Sequence, residues 1–78
     1  MNKKFIEVTA IDKGNNEPQR ALIDTDLITS ATEVTVKNAK IDSRVNCVIV
    51  LARGEHIQDI RVTETFNEIR NRLAAALS

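Results

Sequence analysis

The stretch Asn46-Cys-Val-Ile-Val-Leu-Ala52 carries the one continuous apolar run in the 78-residue chain. From Cys47 to Ala52 every position is apolar, so the run shows neither a period of two nor one of 3.6. Length and composition decide its reading. The run is too short for a helix, and Val48, Ile49 and Val50 are β-branched residues that fit a pleated surface better than a helical one. The reading is a strand. A strand apolar on both faces has to be covered on both faces. The chain offers one helix for one face, and the other face calls for a partner. A homo-oligomer meeting through Val48, Val50 and Ile57 is therefore expected.

The residues after the run read as a return. Arg53-Gly54 marks a turn, and residues 55–62 form a strand. Ile60 and Val62 share one parity there and Ile57 has the other, so either a bulge lies near Gln58-Asp59 or Ile57 faces a partner. Thr65-Phe-Asn-Glu68 is a capping box: the Thr65 hydroxyl can accept from the Glu68 N–H while the Glu68 side chain reaches back. Thr63 is an alternative cap. The helix is expected to run to about Leu77. Phe66, Ile69, Leu73 and Leu77, with Ala76 beside them, recur at steps of three and four and make one apolar stripe. Ala74-Ala-Ala76 adds helix propensity, and its small residues leave room for a second helix to approach. Glu68, Arg70, Asn71 and Arg72 fall off the stripe and are expected in water.

Before the run, residues 4–11 read as a first strand with Ile6, Val8 and Ala10 on one face and Phe5, Glu7, Thr9 and Ile11 on the other. Asp12-Lys-Gly-Asn-Asn-Glu-Pro18 ends it, since Gly14 and the asparagines tolerate left-handed backbone and Pro18 cannot donate to a central ladder. Residues 19–23 make a short second strand. Asp24 is placed to cap one tight turn. Residues 28–36, rich in Thr and Val, read as a third strand with Ile28, Ser30, Thr32, Val34 and Val36 on a common face. The basic stretch 37–44 reads as a long, mobile hairpin loop that leads into the apolar strand. Ile41 inside it is expected to tuck against the sheet or a neighbouring subunit. The whole is a single α+β domain over residues 1–78: an antiparallel β-meander of four to five strands followed by one C-terminal amphipathic helix packed on one sheet face.

Composition narrows the function. Eleven basic and eleven acidic residues leave no formal net charge, whereas a dedicated nucleic-acid binder carries a basic excess. Phe5 and Phe66 are the only aromatic residues, too few for a base-stacking platform. Cys47 has no second cysteine to pair with; it reads as a small buried hydrophobe in a reducing compartment. No run reaches transmembrane length and Glu7 interrupts any signal-peptide core, so a cytoplasmic protein without membrane insertion is expected.

The sequence carries no recognisable catalytic constellation. Gly14 and Gly54 stand alone, which gives no phosphate loop. His56 has no cysteine or second histidine to complete a metal site or a dyad. Asp24 and Asp26 lack the further oxygen ligands of a calcium loop, and Glu64/Glu68 sit at a helix cap. No catalytic residue, cofactor or metal is expected. The leading expectation is a non-enzymatic interaction protein with an unidentified protein partner, self-associating through its sheet. The alternative is a small nucleic-acid-binding regulator of phage or plasmid type, touching phosphate through Lys37, Lys40, Arg44 and Arg53.

Four segments together resemble one family. These are Phe5-Ile-Glu-Val-Thr9, Ala21-Leu-Ile-Asp-Thr-Asp-Leu-Ile28, Cys47-Val-Ile-Val-Leu51 with Arg53-Gly54-Glu55, and Val62-Thr-Glu-Thr-Phe-Asn-Glu-Ile69. They resemble the small flagellar FlbD (swarming protein SwrD) family, with Thr65 where that family has serine and Glu68 where it has glutamate. Similar small proteins of unknown function occur in phages and mobile elements. The resemblance covers most of the chain and rests on core, turn and cap positions. The loops at 13–18 and 37–44 are longer here than in the family. The resemblance implies a non-enzymatic accessory to motility that acts through protein contacts, and it carries over no catalytic residue.

Overall fold

The computed structural model describes residues 4–36 and 41–78. Five strands and one helix follow in the order β1 (Phe5–Ile11), β2 (Pro18–Asp24), a single 3-10 turn (Thr25–Leu27), β3 (Ile28–Glu33), β4 (Cys47–Arg53), β5 (His56–Val62) and α1 (Phe66–Leu77). All strand pairs are antiparallel. This is the expected α+β architecture, a five-stranded antiparallel sheet with one C-terminal helix on one face.

The strand order is β2-β1-β5-β4-β3. It is two hairpin systems joined side by side: β1–β2, and the meander β3–β4–β5. The apolar strand β4 pairs with β3 and β5 only, and β5 occupies the middle of the sheet. Periodicity identifies strands but does not say which edges meet.

Chain connectivity then forces curvature. β2 and β3 lie at opposite edges of the sheet, which in a flat sheet would be about 19 Å apart. Yet only Thr25–Leu27 joins them, and four Cα steps span at most roughly 14 Å. The sheet must coil, bringing its edges together at that end, and the 3-10 turn packs against β4. Asp24 caps this turn as expected, its Oδ1 accepting the Asp26 N–H at 2.9 Å.

Coiling gives the sheet a concave interior and a convex exterior. The interior core consists of Ile6, Val8, Ile23, Cys47, Ile49, Val62 and Ile69, with Phe66, Leu73 and Ala76 of the helix packed against it. Ile11 and Val45 are also buried, outside this cluster. They sit where loops 12–17 and 41–46 meet, joined by Arg44 Nη2 donating to the Asn16 carbonyl at 2.6 Å. Ile41 in the second of these loops is half-buried. The stretch 37–40 of the expected mobile loop lies outside the described residues.

Local chemistry sets the turns and caps. Of the two residues between Arg53 and His56, only Gly54 has a positive φ (60°), the pattern of a two-residue turn with glycine first. In loop 12–17, Asn16 takes φ 55°, which asparagine tolerates. The Asp12 carboxylate also accepts the Gly14 N–H at 2.8 Å. Pro18 opens the edge strand β2, where its missing N–H breaks no central ladder. The Thr65–Glu68 capping box is formed in both directions.

β3 departs from simple alternation. It ends at Glu33 rather than Val36, and its register on β4 shifts between Ile28 and Ser30. The shift moves Ile28 to the interior beside Ala31 and leaves Ser30 and Thr32 outside. Ile28 thus does not share a face with Ser30 and Thr32. β5 shows the reverse: its register on β4 is unbroken from Cys47↔Val62 to Arg53↔His56. There is no bulge near Gln58-Asp59, and Ile57 points outward.

Candidate functional site

The pairing of β4 with β5 fixes what the exterior presents. Cys47 and Ile49 of β4 are wholly buried, so the alternate residues Val48, Val50 and Ala52 face out. Opposite them on β5 stand Arg61, Asp59 and Ile57. On β3, Thr32 and Ser30 stand opposite Val48 and Val50. The result is an apolar row along β4, flanked by hydroxyls on one side and by an isoleucine and two opposite charges on the other. Val48, Val50 and Ala52 are half-buried by these neighbours, while Ile57 is 75 % exposed. The structure thus brings Val48, Val50 and Ile57 onto one surface.

The two charges on this surface are built in rather than incidental. Asp59 Oδ1 accepts from Lys13 Nζ at 2.8 Å, and that bond chiefly holds the Asp59 carboxyl below the usual aspartate range. Asp59 and Arg61 are two residues apart on one strand, so their side chains stand on the same face about 7 Å apart along it. The sequence reading passed over both. Their sign pattern is visible in Ile57-Gln-Asp-Ile-Arg61, but their exterior placement follows only once the β4 register is known. Beside them, an open cleft between β1 and β5 is lined by Ile11, Lys13, Gln19, Gln58, Asp59 and Arg61. It lies where β1–β5 pairing is limited to Ala10↔Val62.

A second exterior apolar patch lies at the other end of the sheet. Phe5 (51 % exposed) and Leu22 (69 % exposed) are diagonal neighbours on β1 and β2, beside the ion pair that Arg20 makes with Glu7. That pair is the main reason the Glu7 carboxyl is lowered from its usual value.

Among the described residues, the two basic candidates Arg44 and Arg53 lie apart. Arg44 precedes β4 and Arg53 ends it, with about 20 Å of strand between them. Arg44 is a structural brace: its Nε and Nη2 grip both oxygens of Asp42 at 3.0 and 2.7 Å, and Nη2 also reaches the Asn16 carbonyl. Arg53 lines a separate hollow with Leu27, Leu51, His56 and Gln58. Lys37 and Lys40 lie outside the described residues. Among the described residues, no group of three or more His, Cys, Asp or Glu is placed to hold a metal ion. No helix among them is long and apolar enough to cross a membrane.

The most developed polar cluster joins the helix to the sheet. Glu64 is 8 % exposed and accepts the Thr9 N–H with both carboxylate oxygens, at 2.8 and 3.0 Å. Arg72 Nη1 donates to Glu64 Oε2 at 3.2 Å and to the Glu7 carbonyl at 2.6 Å. Sequence reasoning placed Arg72 in water, because it lies off the apolar stripe. A long side chain at the stripe's margin can instead reach back over the sheet, and Arg72 does so. Every buried side-chain N or O among the described residues has a hydrogen-bond partner. This cluster is therefore a satisfied structural clamp with no unpaired group aimed at a ligand.

Comparison of the chain with family models, with curated proteins and with solved structures finds no match.

Proposed function

We propose that this protein is a non-enzymatic interaction module that associates with itself through the convex exterior of β4 and β5. The observation that carries the reading is Ile57, 75 % exposed at the end of the exterior row Val48, Val50, Ala52. A contiguous apolar strip rimmed by polar side chains is the usual form of a protein contact surface. The size of the chain supports it. A domain of this length buries a modest fraction of its surface, and association adds burial that the fold alone does not supply. On the resemblance to the flagellar family, the assembled module acts as an accessory to motility, through protein contacts.

The test is the mass in solution, by light scattering after size exclusion at two concentrations. A dimer or larger species that dissociates on dilution is expected. A monomer at both concentrations, with a cooperative melt, would overturn the reading.

A further inference from the structure

The exterior of β5 carries a charge pattern that a twofold axis matches to itself. Resting on the self-association reading above, we infer that the partner is a second copy of this chain, packed sheet on sheet in one register. In that register Asp59 of each copy faces Arg61 of the other, and Val48 of each faces Val50 of the other.

The argument is one of symmetry. Two identical sheet faces can meet about a twofold axis that lies between them. If the axis runs along β5, each of its residues lies over its own copy, so Asp59 meets Asp59 and Arg61 meets Arg61; if it runs along β4, Asp59 and Arg61 lie over Ser30 and Thr32 of the other copy and meet no opposite charge. Like charges directly opposed are unfavourable. If the axis runs across the strands, β5 lies over β5 in the opposite direction, and the register is set by where the axis crosses. Placing it between Asp59 and Arg61 sets each charge against its opposite, twice. Because β4 is in register with β5, the same axis sets Val48, which pairs with Arg61, over Val50, which pairs with Asp59. Thr32 and Ser30 of β3 then face one another too, since they pair with Val48 and Val50. One axis thus matches charges and methyl groups together, with the β3 hydroxyls set back at the margin by the convexity of the face. Shifting it by one residue puts Asp59 over Asp59 or Arg61 over Arg61. Asp59 keeps its bond to Lys13 in this arrangement, since a carboxylate accepts several hydrogen bonds. Ile57 falls at the rim, over Thr63 of the second copy.

The experiment is a charge-reversal cycle read by sedimentation equilibrium. Asp59→Lys and Arg61→Asp, each alone, should weaken self-association by at least about tenfold, since each sets like charges against like. An equimolar mixture of the two variants should recover the wild-type dimer, because the all-positive face meets the all-negative one. The double variant Asp59→Arg/Arg61→Asp should also dimerise, as its charges remain opposed about the same axis. A wild type that is dimeric, with both single variants equally dimeric and the mixture no tighter than its parts, would overturn this register and leave the self-association reading standing. A monomeric wild type would overturn both. Circular-dichroism melts of each variant control for folding, and the mixture reports on the interface independently of either variant's stability.

Discussion

Both carboxylate oxygens of Glu64 accept the Thr9 N–H, at 2.8 and 3.0 Å, where β5 has stopped pairing with β1. Arg72 completes the substitution by donating to the Glu7 carbonyl at 2.6 Å. An acceptor side chain and a donor side chain thus stand in for the rungs of an absent strand. They also tie the helix to the sheet, because Glu64 precedes α1 and Arg72 lies within it.

Glu64→Ala should therefore cost about 2–4 kcal/mol, since it leaves a strand N–H without its acceptor and takes the carboxylate away from the Arg72 guanidinium. Arg72→Met should cost less, about 1 kcal/mol, because the Arg72 side chain is 41 % exposed and water can replace part of what it loses. Urea denaturation of the two variants and the wild type checks the order. Negligible loss in both variants would mean that the helix is held by its apolar stripe alone.

Ile49 is wholly buried at the centre of the interior core. Ile49→Asp should abolish folding by burying an unpaired charge, whereas Ile49→Val should remove about 1 kcal/mol and leave the fold intact. Far-ultraviolet circular dichroism with thermal melts distinguishes the two. A cooperative melt for Ile49→Asp would contradict the placement of β4.

Ile57 and Arg70 are both exposed, and they should behave differently. Ile57→Ser should leave the melting temperature nearly unchanged while weakening self-association, because its side chain contributes to an intermolecular surface rather than to the core. Arg70→Ala should change neither, within about 0.5 kcal/mol of stability. Size exclusion with light scattering and a thermal melt on each variant make the comparison.

The Lys13–Asp59 pair gives a pH dependence of known sign. Its hydrogen bond lowers the Asp59 carboxyl from the usual range. The stabilisation is thus present above the unfolded-state pKa and is lost as pH falls through the depressed folded value. Lys13→Met should be slightly less stable than wild type at pH 6, and the two should converge as the pH drops below the ordinary aspartate range. Both side chains are about half exposed, so added salt should shrink the difference at pH 6. Urea midpoints from pH 6 to pH 2.5 measure it, and a gap that widened on acidification would contradict the assignment.

Much of the fold could be read from short stretches because the causes are local. A short β-branched apolar run favours a strand through the fit of its own side chains to a pleated surface. Gly54 supplies the left-handed backbone that a two-residue turn requires. Thr65 and Glu68 reach each other within one helical turn, and Asp24 reaches the N–H two residues on. These signals located β1, β2, β4, β5 and α1 to within a residue or two.

The candidate site was less legible. Val48, Val50 and Ile57 could be singled out as apolar residues in need of cover. Asp59 and Arg61 could not, since two charges in a strand give no sign of facing the same surface as a valine row on another strand. Arg44 looked like part of a basic contact and proved to be bonded to Asp42 and the Asn16 carbonyl. A side chain's partner across 28 residues of chain leaves no trace in the residues on either side of it.

By itself, then, the sequence determined the elements, their turns and caps, and the parity of most side chains, because hydrogen bonds within a few residues and the alternation of a strand set all of these. The tertiary structure decided the rest: that β1 joins β5, that three residues between β2 and β3 oblige the sheet to coil, that a register shift turns Ile28 inward, and that Arg72 closes over Glu64. Each of these depends on which edges meet after the chain has crossed from one side of the sheet to the other. That choice is made by the packing of the whole core, and no window of neighbouring residues contains it.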